Sequence, residues 1–394
     1  MRTALLAWDY PPSPSGLSTA AREIAESLAE AGADATVFTM DRTGREMVNG
    51  VQLIGCAIPE KAMLAKLRLF GGIGHMAAPS AFRQAVLAEH KRRPFDVLEA
   101  TNWYAPASLL VSCLPVVTRN STPAAFSRDN PGSMRDRVDA WAADRLERKQ
   151  AQGSAALISN TDDHGQRMQE HYRLQVDDQP HAVIGLSLSP DSLQRAAHAT
   201  YPSGTASPIR LLFVGRAEHR KGFDTILEAV SILRVEALKG AIPAFVVDLV
   251  GIAPDDLPPG LDQEDRKCLK PVGRVHETAL AGFYEAAHAV LAPSRYESFG
   301  LVYQEGLAYG RPMIASSEDA SARVFVGMTG AGIMAERNTG NALAAAIRPV
   351  LNDPDLRNTL RKKALEAAGR FNRETLGRET LALYQKAVAA YQAR

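Results

Sequence analysis

Apolar and polar positions alternate along this chain with two periods in turn. Thr3–Trp8 (TALLAW) is a short apolar run, ended by the turn-forming stretch DYPPSPSG. Leu17, Ala20, Ala21, Ile24 and Leu28 then recur at helical spacing, and Gly32 closes that segment. Ala35–Thr39 follows as an apolar, β-branched run, so the chain opens strand, loop, helix, strand. Further strands are predicted at Asp96–Ala100, Pro115–Thr118 and Ala155–Ser159, with a helix over Met134–Gln150. Strands alternating with helices predict a parallel sheet covered on both faces.

The stretch from Ser187 to Pro208 interrupts the pattern. It is rich in Ser, Pro, Ala and Thr, which predicts a linker. Alternation then resumes, with strands expected at Ile209–Gly215, Phe245–Gly251, Ala289–Pro293 and Pro312–Ser316. The pattern predicts two similar α/β domains, residues 1–186 and 209–372, joined by a linker over 187–208. In the last segment, 373–394, Leu376, Leu383, Tyr384, Ala387 and Val388 share one helical face, which must be buried.

Composition narrows the function classes. Forty-five basic and 44 acidic residues leave a net charge of +1, which gives no support to a polyanion binder. Cys56, Cys113 and Cys268 lie far apart, with neither zinc-like spacing nor a disulfide framework, and fit a reduced, cytoplasmic setting. The apolar start is too short for a signal peptide, and no run reaches the length of a membrane span.

In open α/β sheets ligands bind where strands hand over to helices. The first such junction, WDYPPSPSGLSTAA, places Gly16 at a helix start, where backbone can approach an anion. It lacks the G-x-G-x-x-G dinucleotide fingerprint. The second, VGRAEHRKGF, sets Arg216 and Lys221 around a loop that ends at Gly222. Two cations beside a helix start suit a diphosphate, and they stabilise the charge it develops as a leaving group. The third, YESFGLVYQEG, offers the N–H groups of Phe299, Gly300 and Leu301 together with two carboxylates, Glu297 and Glu305. N–H groups suit phosphates, whereas a carboxylate accepts from vicinal hydroxyls, as on a ribose. The matching ligand is both anionic and rich in hydroxyls, as a nucleotide sugar is.

These stretches, with DLVG, VGRVHETALAGFYEAAHAVLAPSRYESFGLVYQEGLAYGRPMIAS and the closing helix, resemble the retaining GT-B glycosyltransferases of family four over most of Ile209–Ser316. The resemblance implies two Rossmann-like domains facing a cleft, the first binding an acceptor and the second a nucleotide-sugar donor, with the closing helix returning to the first. It implies that Arg216 and Lys221 bind the diphosphate and Glu305 the ribose. Glu297 with the Phe299–Leu301 backbone would meet the sugar and phosphate, and Arg274 and Val275 would lie near the base. Gly16 would sit under the diphosphate. It further implies metal-independent transfer with retention, by front-face attack in which the leaving phosphate oxygen takes the acceptor's proton. In PVVTRNSTPAAF many family members carry a His before the Thr-Pro pair; here Asn120 and Ser121 stand there. Either one of them substitutes as a hydrogen-bond partner, or the donor is handled differently.

The expected activity is transfer of a hexose-type sugar from a UDP-sugar first, or a GDP-sugar second, to a glycan, lipid-linked or small-molecule hydroxyl acceptor in bacterial glycan or glycolipid synthesis. No metal or cofactor is expected. A non-catalytic nucleotide-sugar binder and an epimerase or phosphorylase on the same architecture are the competing readings. Lys61, Lys66 and Arg68, mixed with Met63, Leu64, Leu67, Leu69 and Phe70, form a basic amphipathic stretch that suits either a packed helix or contact with the inner face of a membrane.

Overall fold

The structure is a computed structural model, in which residues 1–13, 15–60, 72–128, 131–175, 179–202, 207–370 and 372–393 are described. The amphipathic stretch from Lys61 to Phe70 lies outside the described residues. The chain divides into two compact units, Met1–Ser187 with Asn372–Arg394, and Leu188–Phe371.

The first unit is organised around strands β1 (Arg2–Ala7), β2 (Asp34–Thr39), β3 (Arg45–Val48), β4 (Val51–Gly55), β5 (Val97–Thr101), β6 (Val116–Arg119), β7 (Ala156–Ser159) and β8 (His181–Val183). They form one sheet in the order β3-β4-β2-β1-β5-β6-β7-β8, parallel except for the β3–β4 hairpin. Its helices include α1 (Gly16–Glu30), α2 (Ala77–Arg92), α3 (Met134–Gly153) and α4 (Asp162–Tyr172). Helix α1 starts where expected because Ser15 caps it, its hydroxyl accepting the Ser18 N–H at 2.9 Å. One sheet face buries Ala4, Leu6, Phe38, Leu98 and Val116 against Phe82 and Val86 of α2.

The second unit contains α5 (Pro190–His198), β9 (Ile209–Val214), α6 (Phe223–Leu238), β10 (Phe245–Val250), β11 (Leu269–Gly273), α7 (Glu277–Ala286), β12 (Ala289–Ala292), α8 (Leu301–Ala308), β13 (Met313–Ser316), β14 (Gly332–Ala335), α9 (Gly340–Asn352) and α10 (Pro354–Ala368). Its parallel sheet runs β11-β10-β9-β12-β13-β14. The period of two in IRLLFV sends Leu211 and Phe213 to the face covered by Ile226, Leu233 and Leu343, and Leu212 to the face covered by Tyr303 and Leu307.

One expectation is corrected. Part of the stretch from Ser187 to Pro208 is not a linker, because Pro190–His198 is a helix of the second unit. Ser189 caps it at 3.1 Å from the Ser192 N–H with Pro190 in the first turn, and Leu188 and Ala196 are buried in that unit's core. Ser192 and Arg195 both bond Glu277 of α7, each at 2.7 Å.

The closing helix α11 (Arg373–Gln392) packs within the first unit. Leu376, Leu383, Tyr384 and Ala387 are buried and Val388 is partly so. Close approach to α1 depends on Gly377, since a side chain there would strike the Ser27 carbonyl. Arg373 bonds Glu23 at 2.8 and 2.9 Å, Glu26 at 2.6 Å and Glu30 at 2.8 Å. Tyr384 donates to Glu99 of β5 at 2.7 Å, and Glu99 in turn pairs with Arg119 of β6 at 2.7 Å.

Candidate active site

In the second sheet the chain reverses its direction of winding between β9 and β12, the place where such sheets bind ligands beyond their strand ends. The β9 exit carries Gly215–Gly222 and the β12 exit carries Pro293–Gly300. Gly222 sets the close approach of the two. Its φ is +70°, and a side chain there would strike the Pro293 carbonyl.

These exits bring Lys221 and Glu297 together. The Lys221 ammonium bonds the Glu297 Oε1, and Arg220 Nη1 stands 3.6 Å from the Oε2. Ser294 Oγ donates to the same Oε1 at 2.7 Å, and Arg220 also donates to the Tyr296 carbonyl at 2.9 Å. Glu297 is only 8% exposed. Burial opposes its charge, but the Lys221 ammonium and the Arg220 guanidinium outweigh it and hold the carboxyl below its ordinary range.

The peptide groups of Glu297 are held as well. Its N–H donates to Asp319 Oδ1 at 2.9 Å, and its carbonyl accepts from Ser321 Oγ at 3.0 Å. Asp319 Oδ2 accepts from Tyr303 Oη at 2.7 Å and from the Ala322 N–H at 3.1 Å. Burial, reinforced by the charge of Glu297, pushes the Asp319 carboxyl up to about 7 against those hydrogen bonds. A π-helical turn, Arg323–Gly327, follows this segment.

Helix α8 opens at Gly300, which has φ +63° and lies against the Phe325 ring. The Tyr303 N–H donates to the Gly300 carbonyl at 3.0 Å, so it is Leu301 and Val302, at the start of α8, whose N–H groups have no partner within the helix. Gln304 Nε2 donates to the Phe299 carbonyl at 3.2 Å and fixes the turn. Glu305, one turn into α8, accepts from Tyr284 Oη at 2.6 Å. Burial pushes its carboxyl up to about 7, only partly offset by that hydrogen bond.

Other expected residues fall near the same strand ends with different roles. Arg216 does not join the Glu297 cluster; its side chain is 64% exposed and pairs with Glu218 at 2.8 Å. Arg220, which sequence reasoning passed over, takes the second place beside Glu297. The only signal for it was its position next to Lys221 in HRKG. Arg274 is exposed and Val275 partly buried, both just beyond β11. Asp319 was also missed, and nothing in its own neighbourhood of sequence pairs it with Glu297.

In the first unit, Gly16 is the first residue of α1, and the space over its Cα is open. Asn120 and Ser121 follow β6, but both are buried in a polar network and do not stand on an open loop. Ser121 Oγ donates to Asn102 Oδ1 at 2.9 Å, and Asn102 Nδ2 donates to Tyr172 Oη at 2.6 Å. Tyr172 Oη donates to the fully buried Glu147 at 2.9 Å. Asn120 Nδ2 donates to Ser159 Oγ at 2.8 Å, while its buried Oδ1 finds no partner among the described residues.

Two doubly wound parallel sheets with this strand-exit site define the class. The fold matches sucrose-phosphate synthase from Thermosynechococcus elongatus with a TM-score of 0.73 and 22% identity, over 99% of both chains. It also matches HepE of Anabaena, solved in complex with UDP, with a TM-score of 0.66 and 17% identity, over 98% of this chain and 100% of that one. Residues 15–186 match the family described as glycosyl transferase 4-like domain, and residues 204–367 the family described as glycosyl transferases group 1. A D-inositol 3-phosphate glycosyltransferase of Kineococcus radiotolerans is 27% identical, over 95% of this chain and 91% of its own. A glycogen synthase of Mycobacterium tuberculosis is 25% identical, over 90% and 87%. The chain belongs to the GT-B glycosyltransferases of family four.

Proposed function

We propose that this glycosyltransferase moves a hexose-type sugar from a nucleotide-diphosphate sugar, a UDP-sugar before a GDP-sugar, to a hydroxyl acceptor in bacterial glycan or glycolipid synthesis. Transfer retains the anomeric configuration and needs no metal. The observation that carries the reading is the pairing of Lys221 and Arg220 with Glu297 beside the start of α8, at the reversal point of the second sheet.

The chemistry follows from these groups. The donor's phosphates meet the α8 N–H groups, and the Lys221 ammonium turns part of its charge from Glu297 to the leaving diphosphate. Glu297 accepts from a sugar hydroxyl and Glu305 from the ribose hydroxyls. The bond from the anomeric carbon to the phosphate oxygen breaks, and the bond to the acceptor oxygen forms on the same face. The cations stabilise the charge that develops on the departing phosphate oxygen, and the acceptor's proton passes to that oxygen. The HepE structure, solved with UDP, supports a uridine nucleotide as first choice.

The test is transfer in the presence of a chelator, with the product's anomeric proton read by NMR. Retained configuration at undiminished rate is expected. Inversion, or loss of turnover on chelation, would overturn the retaining, metal-free reading. Donor binding with no turnover on any acceptor would favour a non-catalytic binder.

A further inference from the structure

Glu297 is gripped from one short segment 22 residues further along the chain. Asp319 takes its N–H at 2.9 Å and Ser321 gives a hydrogen bond to its carbonyl at 3.0 Å, so both peptide groups of one residue are fixed by side chains from Asp319–Ser321. The grip is itself anchored. Asp319 is 1% exposed and Ser321 is fully buried. Asp319 Oδ2 is held by Tyr303 Oη at 2.7 Å, and Tyr303 belongs to α8, the helix whose first turn faces the donor phosphates. Asp319 therefore ties the residue bearing the Glu297 carboxylate to the helix bearing the phosphate-facing N–H groups.

Three features make this more than packing. A carboxylate is costly in such a place, yet its two oxygens accept three hydrogen bonds, from the Glu297 N–H, the Ala322 N–H and Tyr303 Oη, which an amide's single oxygen cannot all accept. A second buried carboxyl so close to Glu297 raises the energy of both, yet the fold keeps it. And Glu297, whose carboxylate meets Lys221 and Ser294, lies in the loop before α8 and not in regular structure, so these side-chain hydrogen bonds take the place of a ladder in holding its backbone.

We propose that Asp319, assisted by Ser321, is a positioning residue of the donor site: it fixes the Glu297 backbone relative to α8 and so aims the Glu297 carboxylate at Lys221 and at the transferred sugar. The role rests on the glycosyl-transfer reading above. It acts through Glu297 and touches neither substrate. It predicts a loss in turnover greater than the loss in donor binding, because displacing a reacting group by a fraction of an ångström costs rate before it costs affinity.

The test is a double-mutant cycle on the full chain. Asp319→Asn keeps the size and one acceptor oxygen; Ser321→Ala removes only the hydroxyl and is the milder change. Each is measured alone and in a Glu297→Gln background, with kcat and donor KM followed separately and melting temperature recorded. Either variant alone is expected to lose about tenfold or more in kcat, with donor KM little changed. In the Glu297→Gln background the same substitutions should cost less than about twofold, since the group they aim is already gone. Equal losses in both backgrounds, or a rise in KM alone, would overturn the positioning role while leaving the transferase reading intact. A wild-type chain that turns over no donor with any acceptor would overturn both.

Discussion

At the scale of single residues, the proposed donor site rests on two cations, Lys221 and Arg220, and on two carboxylates in unlike surroundings. Lys221 is the group asked to meet a leaving diphosphate, so Lys221→Ala should lower kcat/KM by about two orders of magnitude or more, roughly 2–4 kcal/mol in the transition state. Steady-state kinetics with the preferred donor check this, and a near-normal value would contradict the role. Glu305 differs from Glu297 in its partners. Tyr284 is a neutral donor, whereas Lys221 and Arg220 are charged, so burial wins at Glu305 and loses at Glu297. A carboxyl lifted to about 7 is largely neutral in mild acid and accepts poorly from two hydroxyls. Donor affinity should therefore rise as pH increases through about 7, and Glu305→Gln should both weaken binding and flatten that rise. Calorimetry at several pH values reads this. An unchanged affinity in the variant would remove Glu305 from the ribose.

At the scale of elements, α11 is held to α1 by an ionic clasp with little water around it. Glu23 is fully buried and Glu26 is 3% exposed, and Arg373 is a shared counter-charge for both. Arg373→Ala removes the counter-charge they share, leaving Glu23 to Arg22 and Ser187 and Glu26 to Asn49, and should cost roughly 2–4 kcal/mol in unfolding of the first unit. Denaturant titration measures it; a loss under about 1 kcal/mol would show that the clasp contributes little. Long elements were legible because their periodicity is strong. The predicted strands at Thr3–Trp8, Ala35–Thr39 and Ile209–Gly215 coincide with β1, β2 and β9 within a residue or two. The four-residue strands β6, β7, β12 and β13 were legible too, as apolar runs, but polar, proline-bearing or linker-like elements were not. The β3–β4 hairpin turns on Asn49 and Gly50, with φ of 48° and 79°, a dipeptide signal that its polar strand β3 obscured. Strand β11 contains Pro271 and sits at the sheet edge, where a missing N–H is tolerated. Helix α5 carried its cap signal, Ser189-Pro190, inside a composition that otherwise suggests a linker. Of the candidate site, sequence pointed to Lys221 and Glu297, which the fold brings into contact, and to Glu305, one turn into α8. Asp319 was hidden because only the fold brings it to Glu297.

At the scale of the whole molecule, buried carboxyls pull stability in opposite directions with pH. Glu147, Glu305 and Asp319 are each pushed up to about 7, chiefly by burial. Between the ordinary carboxyl range and about 7 the folded state binds more protons there than the unfolded chain does, so stability falls as pH rises through that window. Glu89, Asp224 and Glu297 are held below their ordinary values, the first chiefly by Arg45, the other two by their cations despite burial. Their contribution is present above the ordinary carboxyl range and is lost as pH falls through their depressed values. His164, His171 and His181 are pushed down from 6.5, chiefly by burial, so below that pH their contribution grows as pH rises and offsets the carboxyls. Above it only the carboxyls still titrate, so without ligand the melting temperature should fall from about pH 6.5 to about 7.5 and then level off. A melting temperature that climbs steadily to pH 8 would contradict this distribution of charge.

The central claim, that the second unit's strand exits hold a nucleotide-sugar donor, is tested most directly by calorimetry on the purified chain in the presence of a chelator. The panel is UDP-glucose, UDP-N-acetylglucosamine, UDP-galactose, GDP-mannose and ADP-glucose, with nucleotide release followed in parallel. Binding of one uridine-linked donor, slow release of its nucleotide, and loss of that release in Lys221→Ala are the expected result. Failure to bind any of the five, or release untouched by Lys221→Ala, would contradict the account.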